Sequence, residues 1–130
     1  MRFNVSSSSP LEPEIGFSRA VRVGPFVSVA GTAPIGIDGS TVAIGDVYGQ
    51  TRRCIEIAVL AVVESGASKG DIVRTRVMLV DITHWREAAR AHGEAFAAIK
   101  PACTFIEVSG FINPDWLVEI EVDCVIGDGI

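Results

Sequence analysis

Lys100-Pro101-Ala102-Cys103-Thr104-Phe105-Ile106-Glu107-Val108, followed closely by Leu117-Val118-Glu119-Ile120-Glu121-Val122, is the stretch on which the fold turns. Each piece alternates with a period of two, as a strand with one covered face does. Read as a simple hairpin with Ser109 facing Leu117, the two would set Glu119 opposite Glu107. Glu119 would then lie roughly 13 Å along the strand from Cys103. That separation makes the two poor partners within one chain and leaves open a meeting across a subunit boundary.

Working outward, Lys100-Pro101 stops a helix whose apolar stripe includes Trp85, Ala88, Ala95, Phe96 and Ile99, with Thr83 as a cap. Ile72 to Val80 alternates as a strand. Asp46 to Ser65 carries Ile55, Ala58, Val59 and Val62 at helical spacing, with Asp46 to start the helix and Gly66 to end it. Ala20-Val21-Arg22-Val23 and Phe26-Val27-Ser28-Val29-Ala30 are strands joined at Gly24-Pro25. Residues 1–15, with Ser6-Ser7-Ser8-Ser9-Pro10, read as an extended leader of little structure, and residues 16–130 as one domain. The order β-β-α-β-α-β-β predicts an α+β fold, a mixed sheet with two helices packed on one face.

Strand parity separates two faces. Val73, Thr75, Val77 and Leu79, then Thr104, Ile106 and Val108, then Val118, Ile120, Val122, Cys124 and Ile126 are expected under the helices. The opposite face then collects Arg74, Arg76, Met78, Cys103, Phe105, Glu107, Leu117, Glu119, Glu121 and Asp123. Mixed apolar and paired charged residues of this kind suit an oligomer interface. A solvated face with cross-strand ion pairs is the alternative.

The chain has 130 residues, 48% hydrophobic and 21% charged, enough for one core and too few for a second domain. Its net charge is -5, and no basic run exceeds Arg52-Arg53, so nucleic acid is not an expected partner. Cys54, Cys103 and Cys124 form no metal-ligand spacing with each other or with His84 and His92, and no metal or cofactor is expected. An odd thiol count, with no signal peptide and no apolar run near the roughly 20 residues of a membrane span, predicts a cytoplasmic protein without membrane association. His92 falls on the helix stripe and His84 at the helix start, both more simply packed or exposed than catalytic. Cys54 and Cys124 read as core thiols, and Trp116 could lid a cleft or pack against the leader.

Several pieces in order resemble the RidA/YjgF family, also described as L-PSP endoribonuclease-like. They are Gly16-Phe17-Ser18-Arg19-Ala20-Val21, Val29-Ala30-Gly31-Thr32-Ala33-Pro34, Gln50-Thr51-Arg52, Gly66-Ala67-Ser68, Asp71-Ile72-Val73-Arg74-Thr75, Pro101-Ala102, Ile106-Glu107-Val108 and Val118-Glu119-Ile120-Glu121. The resemblance implies a chorismate-mutase-like fold and a homotrimer with three clefts between subunits. In such clefts the family hydrolyses 2-imino or enamine acids to 2-keto acids and ammonia. It further implies that Glu119 positions the attacking water and that the Gly31 turn, with Thr32 beside it, lines the cleft. Phe17 stands where the family often has tyrosine, Ala89 where asparagine is common, and Cys103 where an arginine grips the substrate carboxylate. Phe105, beside Cys103, would shape the pocket.

A bidentate Arg–carboxylate pair contributes roughly 1.5–3 kcal/mol per charged hydrogen bond. Its loss weakens binding by on the order of a hundredfold or more. The expectation is therefore a small-molecule hydrolase or deaminase that is inefficient with ordinary 2-imino acids, with a neutral or cationic ligand fitting better. The alternative is a non-catalytic trimeric metabolite-binding protein. A ribonuclease fits an acidic chain poorly. Cys103 itself could be a nucleophile, a neutral pocket wall or a small hydrophobe in a closed interface.

Overall fold

Val118–Val125 alternates so strictly between buried and half-exposed residues that it must sit inside a sheet with one face covered, and it does. The computed structural model describes residues 1–127, and its strands run β1 (Arg2–Val5), β2 (Ala20–Val23), β3 (Phe26–Thr32), β4 (Ile72–Leu79), β5 (Ala102–Glu107) and β6 (Val118–Val125). The spatial order is β1-β2-β3-β6-β4-β5. β6 pairs antiparallel with both β3 and β4, while β4 and β5 are parallel. The helices are a short α1 (Leu11–Ile15), α2 (Val47–Glu64) and α3 (Trp85–Phe96). As expected for an α+β fold, α2 connects β3 to β4 and α3 connects β4 to its parallel neighbour β5.

Local chemistry sets the helix ends. The Asp46 carboxylate accepts from the Gly49 N–H at the start of α2, and Gly66 leaves it with a φ of 94°, a left-handed turn that a β-carbon would strain. The start of α3 differs from the expectation: Thr83 donates to Asp81, closing one tight turn over Ile82–His84 before the helix begins at Trp85. Trp85 is 41% exposed and is no part of the stripe, which rests on Ala88, Ala91 and Phe96. Phe96, 1% exposed, fills the space between α3 and the sheet, and truncating such a ring typically costs about 3–5 kcal/mol.

Four expectations need correction. Residues 1–15 are not a featureless leader: β1 extends the sheet against β2, and α1 closes back through the Gly16 turn. Val73 lies 46% exposed because the β4 ladder slips between Ile72 and Arg74, and Ile72 takes the core position. The strands β5 and β6 are not a hairpin, since β4 lies between them. The parity of β5 is also reversed. Cys103 pairs with buried Thr75 and Phe105 with buried Val77, so both lie on the helix side, while Thr104 and Ile106 share the open face with Arg76 and Met78. A strand at the sheet edge, exposed along most of its length, has no burial pattern to fix its phase.

Glu107 follows the reversed parity by pairing with buried Leu79, and Leu117 packs against the core; the remaining residues read onto the open face lie there. Glu119, Glu121 and Asp123 stand beside Met78, Arg76 and Arg74, with ion pairs joining Arg76 to Glu121 and Arg74 to Asp123. Toward one end Val23, Phe26 and Val125 lie side by side and exposed. No helix is long and apolar enough to cross a membrane among the described residues.

Candidate functional site

The β3–β6 ladder breaks between Val29 and Thr32, and this irregularity builds the site. It turns the Gly31 backbone toward Glu119 on the neighbouring strand. A β-carbon on Gly31 would sit 2.7 Å from Glu119 Oε1, so only glycine lets the carboxylate lie this close to the chain. Glu119 is half-buried and makes no hydrogen bond to any described residue. Burial pushes its pKa up; the nearby Arg19 guanidinium opposes this, and Glu121 adds to it. A carboxylate so placed is an open acceptor for a water molecule or a ligand N–H.

Both Gly31 and Glu119 line a cavity of about 720 Å³. Phe17, Arg19 and Thr32 share its wall, and Ser6–Ser9 cross it as a strap. The strap is clasped by Glu12, 8% exposed, whose carboxylate accepts from the Ser6 hydroxyl at 2.8 Å and from the Ser7 hydroxyl and N–H at 2.6 and 2.9 Å. Burial would raise the Glu12 pKa, yet the Ser7 and Ser6 hydrogen bonds together bring it below the usual range.

Arg19 is the residue that sequence reasoning passed over, noted only as part of a matching piece. It is 8% exposed, and its Nη1 donates to the Gly31 carbonyl at 2.7 Å and to Thr32 Oγ1 at 3.1 Å, while Nε reaches Ser7 Oγ at 3.3 Å. Its guanidinium carbon lies 5.3 Å from the centre of the Phe17 ring. Burial lowers its pKa against the pull of Glu12 and Glu119. One arginine thus ties the strap, the Gly31 turn and the Phe17 wall together. A positive charge thus lies near Glu119, supplied by the residue just before β2 and not from β5. Thr32, 1% exposed, spends its hydroxyl on the Ala30 carbonyl and Arg19 and so supports the turn.

Phe17, Gly31, Thr32 and Glu119 are therefore brought together, and Trp116 joins them, its indole N–H donating to Thr41 Oγ1 at 3.1 Å. Cys103, Phe105 and Ala89 are not among the cavity's lining residues. Glu119 is level with Ile106 across β4, two strand spacings or about 10 Å away, and Cys103 faces the other side of the sheet. Phe105 instead packs near His92, ring centres 6.1 Å apart, and His92 Nε2 meets Thr75 Oγ1 at 2.7 Å. Burial lowers the His92 pKa, as for a packed imidazole. Cys54 and Cys124 are buried and their thiols pushed up in pKa, chiefly by burial, Cys124 to about 12. A shallower groove of about 380 Å³ between α2 and α3, around Tyr48 and Glu94, holds none of the expected site residues.

Comparison with known proteins agrees with this architecture. The family model described as endoribonuclease L-PSP matches residues 7–126. The uncharacterized protein SCO2049 of Streptomyces coelicolor is 39% identical over 123 residues, covering 95% of this chain and 91% of that one. The RutC family protein PYRAB12510 of Pyrococcus abyssi is 34% identical over 119 residues, covering 92% and 91%. Among solved structures, Rv2704 of Mycobacterium tuberculosis, a member of the YjgF/YER057c/UK114 family, superposes with a TM-score of 0.88 at 41% identity, covering 97% of this chain and all of that one. With the match running from the serine strap to the end of the sheet, the chain belongs to the RidA/YjgF family.

Proposed function

We propose that this protein is a small-molecule hydrolase acting on a C=N bond, in a cleft where Glu119 positions water. The observation that carries the proposal is the Glu119 carboxylate: half-buried, without a hydrogen bond among the described residues, and set over the Gly31 turn in a 720 Å³ cavity. Membership of the RidA/YjgF family supports a small-molecule-binding or deaminase-like role. Glu119 accepts a proton from water as the oxygen attacks the imine carbon and returns it to the departing nitrogen. The imine and one water thereby become a carbonyl compound and ammonia.

The cleft is completed by a second copy within a homotrimer. Support comes from the open sheet face, with its exposed Val23, Phe26 and Val125 beside the Arg–carboxylate columns, and from the uncovered edge of β5. Cys103, Phe105 and Ala89 of a neighbouring copy would form the opposite wall. With Cys103 where other family members carry arginine, that wall offers no carboxylate grip, and short 2-imino acids are poor substrates. Three free thiols fit a reducing, cytoplasmic setting.

The test is ammonia release from imines generated in place by an amino acid oxidase, with semicarbazide trapping to monitor the imine. The wild-type protein should accelerate hydrolysis of at least one bulky imine, and Glu119→Gln should lose about 10²-fold or more. No acceleration for any imine, or equal turnover by the variant, rejects the proposal.

A further inference from the structure

The Arg19 guanidinium and the Glu119 carboxylate meet at one residue without touching each other. Arg19 Nη1 donates to the Gly31 carbonyl at 2.7 Å, and Glu119 Oε1 lies 2.7 Å from where a Gly31 β-carbon would stand. Among the described residues the two form no ion pair within 4.0 Å. Opposite charges this close in a half-buried cavity still act on each other, because little water screens them. Burial raises the Glu119 pKa and Arg19 opposes the rise; burial lowers the Arg19 pKa, and Glu12 and Glu119 oppose the fall. The other groups around Glu119 supply no such charge. Glu121 adds to the rise and is paired with Arg76 of β4, Met78 beside Glu119 on β4 is uncharged, and burial keeps the Cys54 thiol of α2 neutral. Arg53, also in the cavity wall, directs Nε to the Ile35 carbonyl and Nη1 to Glu56.

Arg19 is held from its other side by the serine strap. Its Nε donates to Ser7 Oγ at 3.3 Å, and the same hydroxyl donates to Glu12 at 2.6 Å. The strap is bent to make this contact: Ser8 has a left-handed φ of 64°, and its N–H donates to Ser6 Oγ at 3.1 Å. A residue other than glycine stays in that region only when its surroundings hold it there. A continuous line of contacts therefore runs from Glu12 through Ser7 and Arg19 to Gly31, and ends under Glu119. A neutral donor could hold a carbonyl and a hydroxyl as well as a guanidinium does. Burying a full charge to do so is costly, so the charge itself needs a use.

We infer that Arg19 is the positioning residue for Glu119: anchored by Ser7 and Glu12, it fixes the Gly31 turn, and its charge keeps the Glu119 carboxylate ionised further into acid. The inference rests on the proposed hydrolase and deepens it by naming what governs the base. A buried carboxylate with no cation nearby would hold its proton to higher pH and could not take one from water over that range. Arg19 supplies the charge without a direct salt bridge, which leaves the Glu119 oxygens open to water. The strap thereby belongs to the working parts of the site, through Ser7 and Glu12.

Carbon-13 NMR of the side-chain carboxylates titrates Glu119 directly and needs no turnover, with Glu119→Gln to assign its resonance. Arg19→Gln should move the Glu119 midpoint upward by about half a pH unit or more, and Arg19→Lys, which restores the charge, should bring most of that back. For an imine that the protein hydrolyses, the acidic limb of the kcat profile should move with the NMR midpoint in each variant. A residue that only held the fold would lower turnover alike at every pH. If Arg19→Gln fails to fold, Ser7→Ala carries the test, since it frees Nε without altering a charge, and the midpoint must still rise. An unchanged midpoint in folded Arg19→Gln, or in Ser7→Ala where that stands in for it, overturns the inference. So does a rise that folded Arg19→Lys leaves in full. The two proposals fail separately. An Arg19-dependent midpoint without any imine hydrolysis removes only the hydrolase, and imine turnover with midpoint and acidic limb indifferent to Arg19 removes only the positioning role.

Discussion

Replacing Gly31 with alanine tests whether Glu119 acts from the position that the strand break allows. The added β-carbon would stand 2.7 Å from Glu119 Oε1, where ordinary contact begins at 3.4 Å, so the carboxylate must move by about 0.7 Å. Apart from the adjoining residues, the described atoms within 4 Å of the new carbon all belong to the Glu119 side chain, so no other strand's backbone is disturbed. Gly31 has no left-handed φ, so alanine is unstrained there and gains roughly 0.4–1 kcal/mol by restricting the unfolded chain. The cost of moving a flexible carboxylate offsets this, and the melting temperature should shift by no more than about 4 °C either way. Turnover of a responsive imine should fall by about 10–100-fold, the usual penalty for misplacing a catalytic group by a large fraction of an ångström. The assay pairs a thermal melt with ammonia release on the same preparation. Full activity in a well-folded Gly31→Ala would refute the claim that the close approach of Glu119 to the turn matters.

Glu119 also links stability to pH. Its folded pKa is raised above the unfolded reference of 4.5, so the protonated form is favoured by folding. Its contribution is fully present below 4.5 and is lost as pH rises through the folded value. Glu119→Gln should therefore melt higher than wild type at pH 8, with the gap closing near pH 4. A variant that is less stable at pH 8 contradicts the burial argument. The proposed hydrolysis, in which Glu119 acts as an ionised base, should run in the opposite sense and fail on acidification. Among the thiols, exposed Cys103 should alkylate first under native conditions, while Cys54 and Cys124 wait for unfolding. Peptide-resolved labelling that finds Cys124 as fast as Cys103 would contradict its core position.

Elements buried in the middle of the sheet were legible from their residues. Val118, Ile120, Val122 and Cys124 alternate with charges because one face of β6 packs under α2, and that pressure leaves a period-two record. Asp46 and Gly66 marked α2 because capping and left-handed exit are local chemistry. β5 left no such record. At the sheet edge either phase of Cys103-Thr104-Phe105-Ile106 satisfies the pattern, and only its parallel pairing to β4 decides. The slip at Val73 is likewise a property of two strands together.

The site was half visible. Glu119, Gly31 and Phe17 emerged from ordered resemblance, and the cavity joins them. Arg19 did not, because its burial arises from partners twelve and thirteen residues away in sequence and from a serine strap that reads as a loop. Its position offered one clue. The alternation that buries Ala20 puts Arg19 on the same side as Val21, beside Phe17, where an arginine has no core to avoid. The serine run gave none, since its fold depends on Glu12 turning back to clasp it.

The proposed shared cleft sets Glu119 of one copy across from β5 of another, and mixing inactive chains tests this directly. Glu119→Gln chains and Cys103→Trp chains, each inactive alone, are unfolded together in equal amounts and refolded. Random assembly then pairs an intact Glu119 with an intact neighbouring β5 in about a quarter of the clefts. Recovery of about a quarter of wild-type ammonia release is the predicted result. No recovery from well-folded mixed oligomers, or full activity in Cys103→Trp alone, would place the whole site within one chain and contradict the shared cleft.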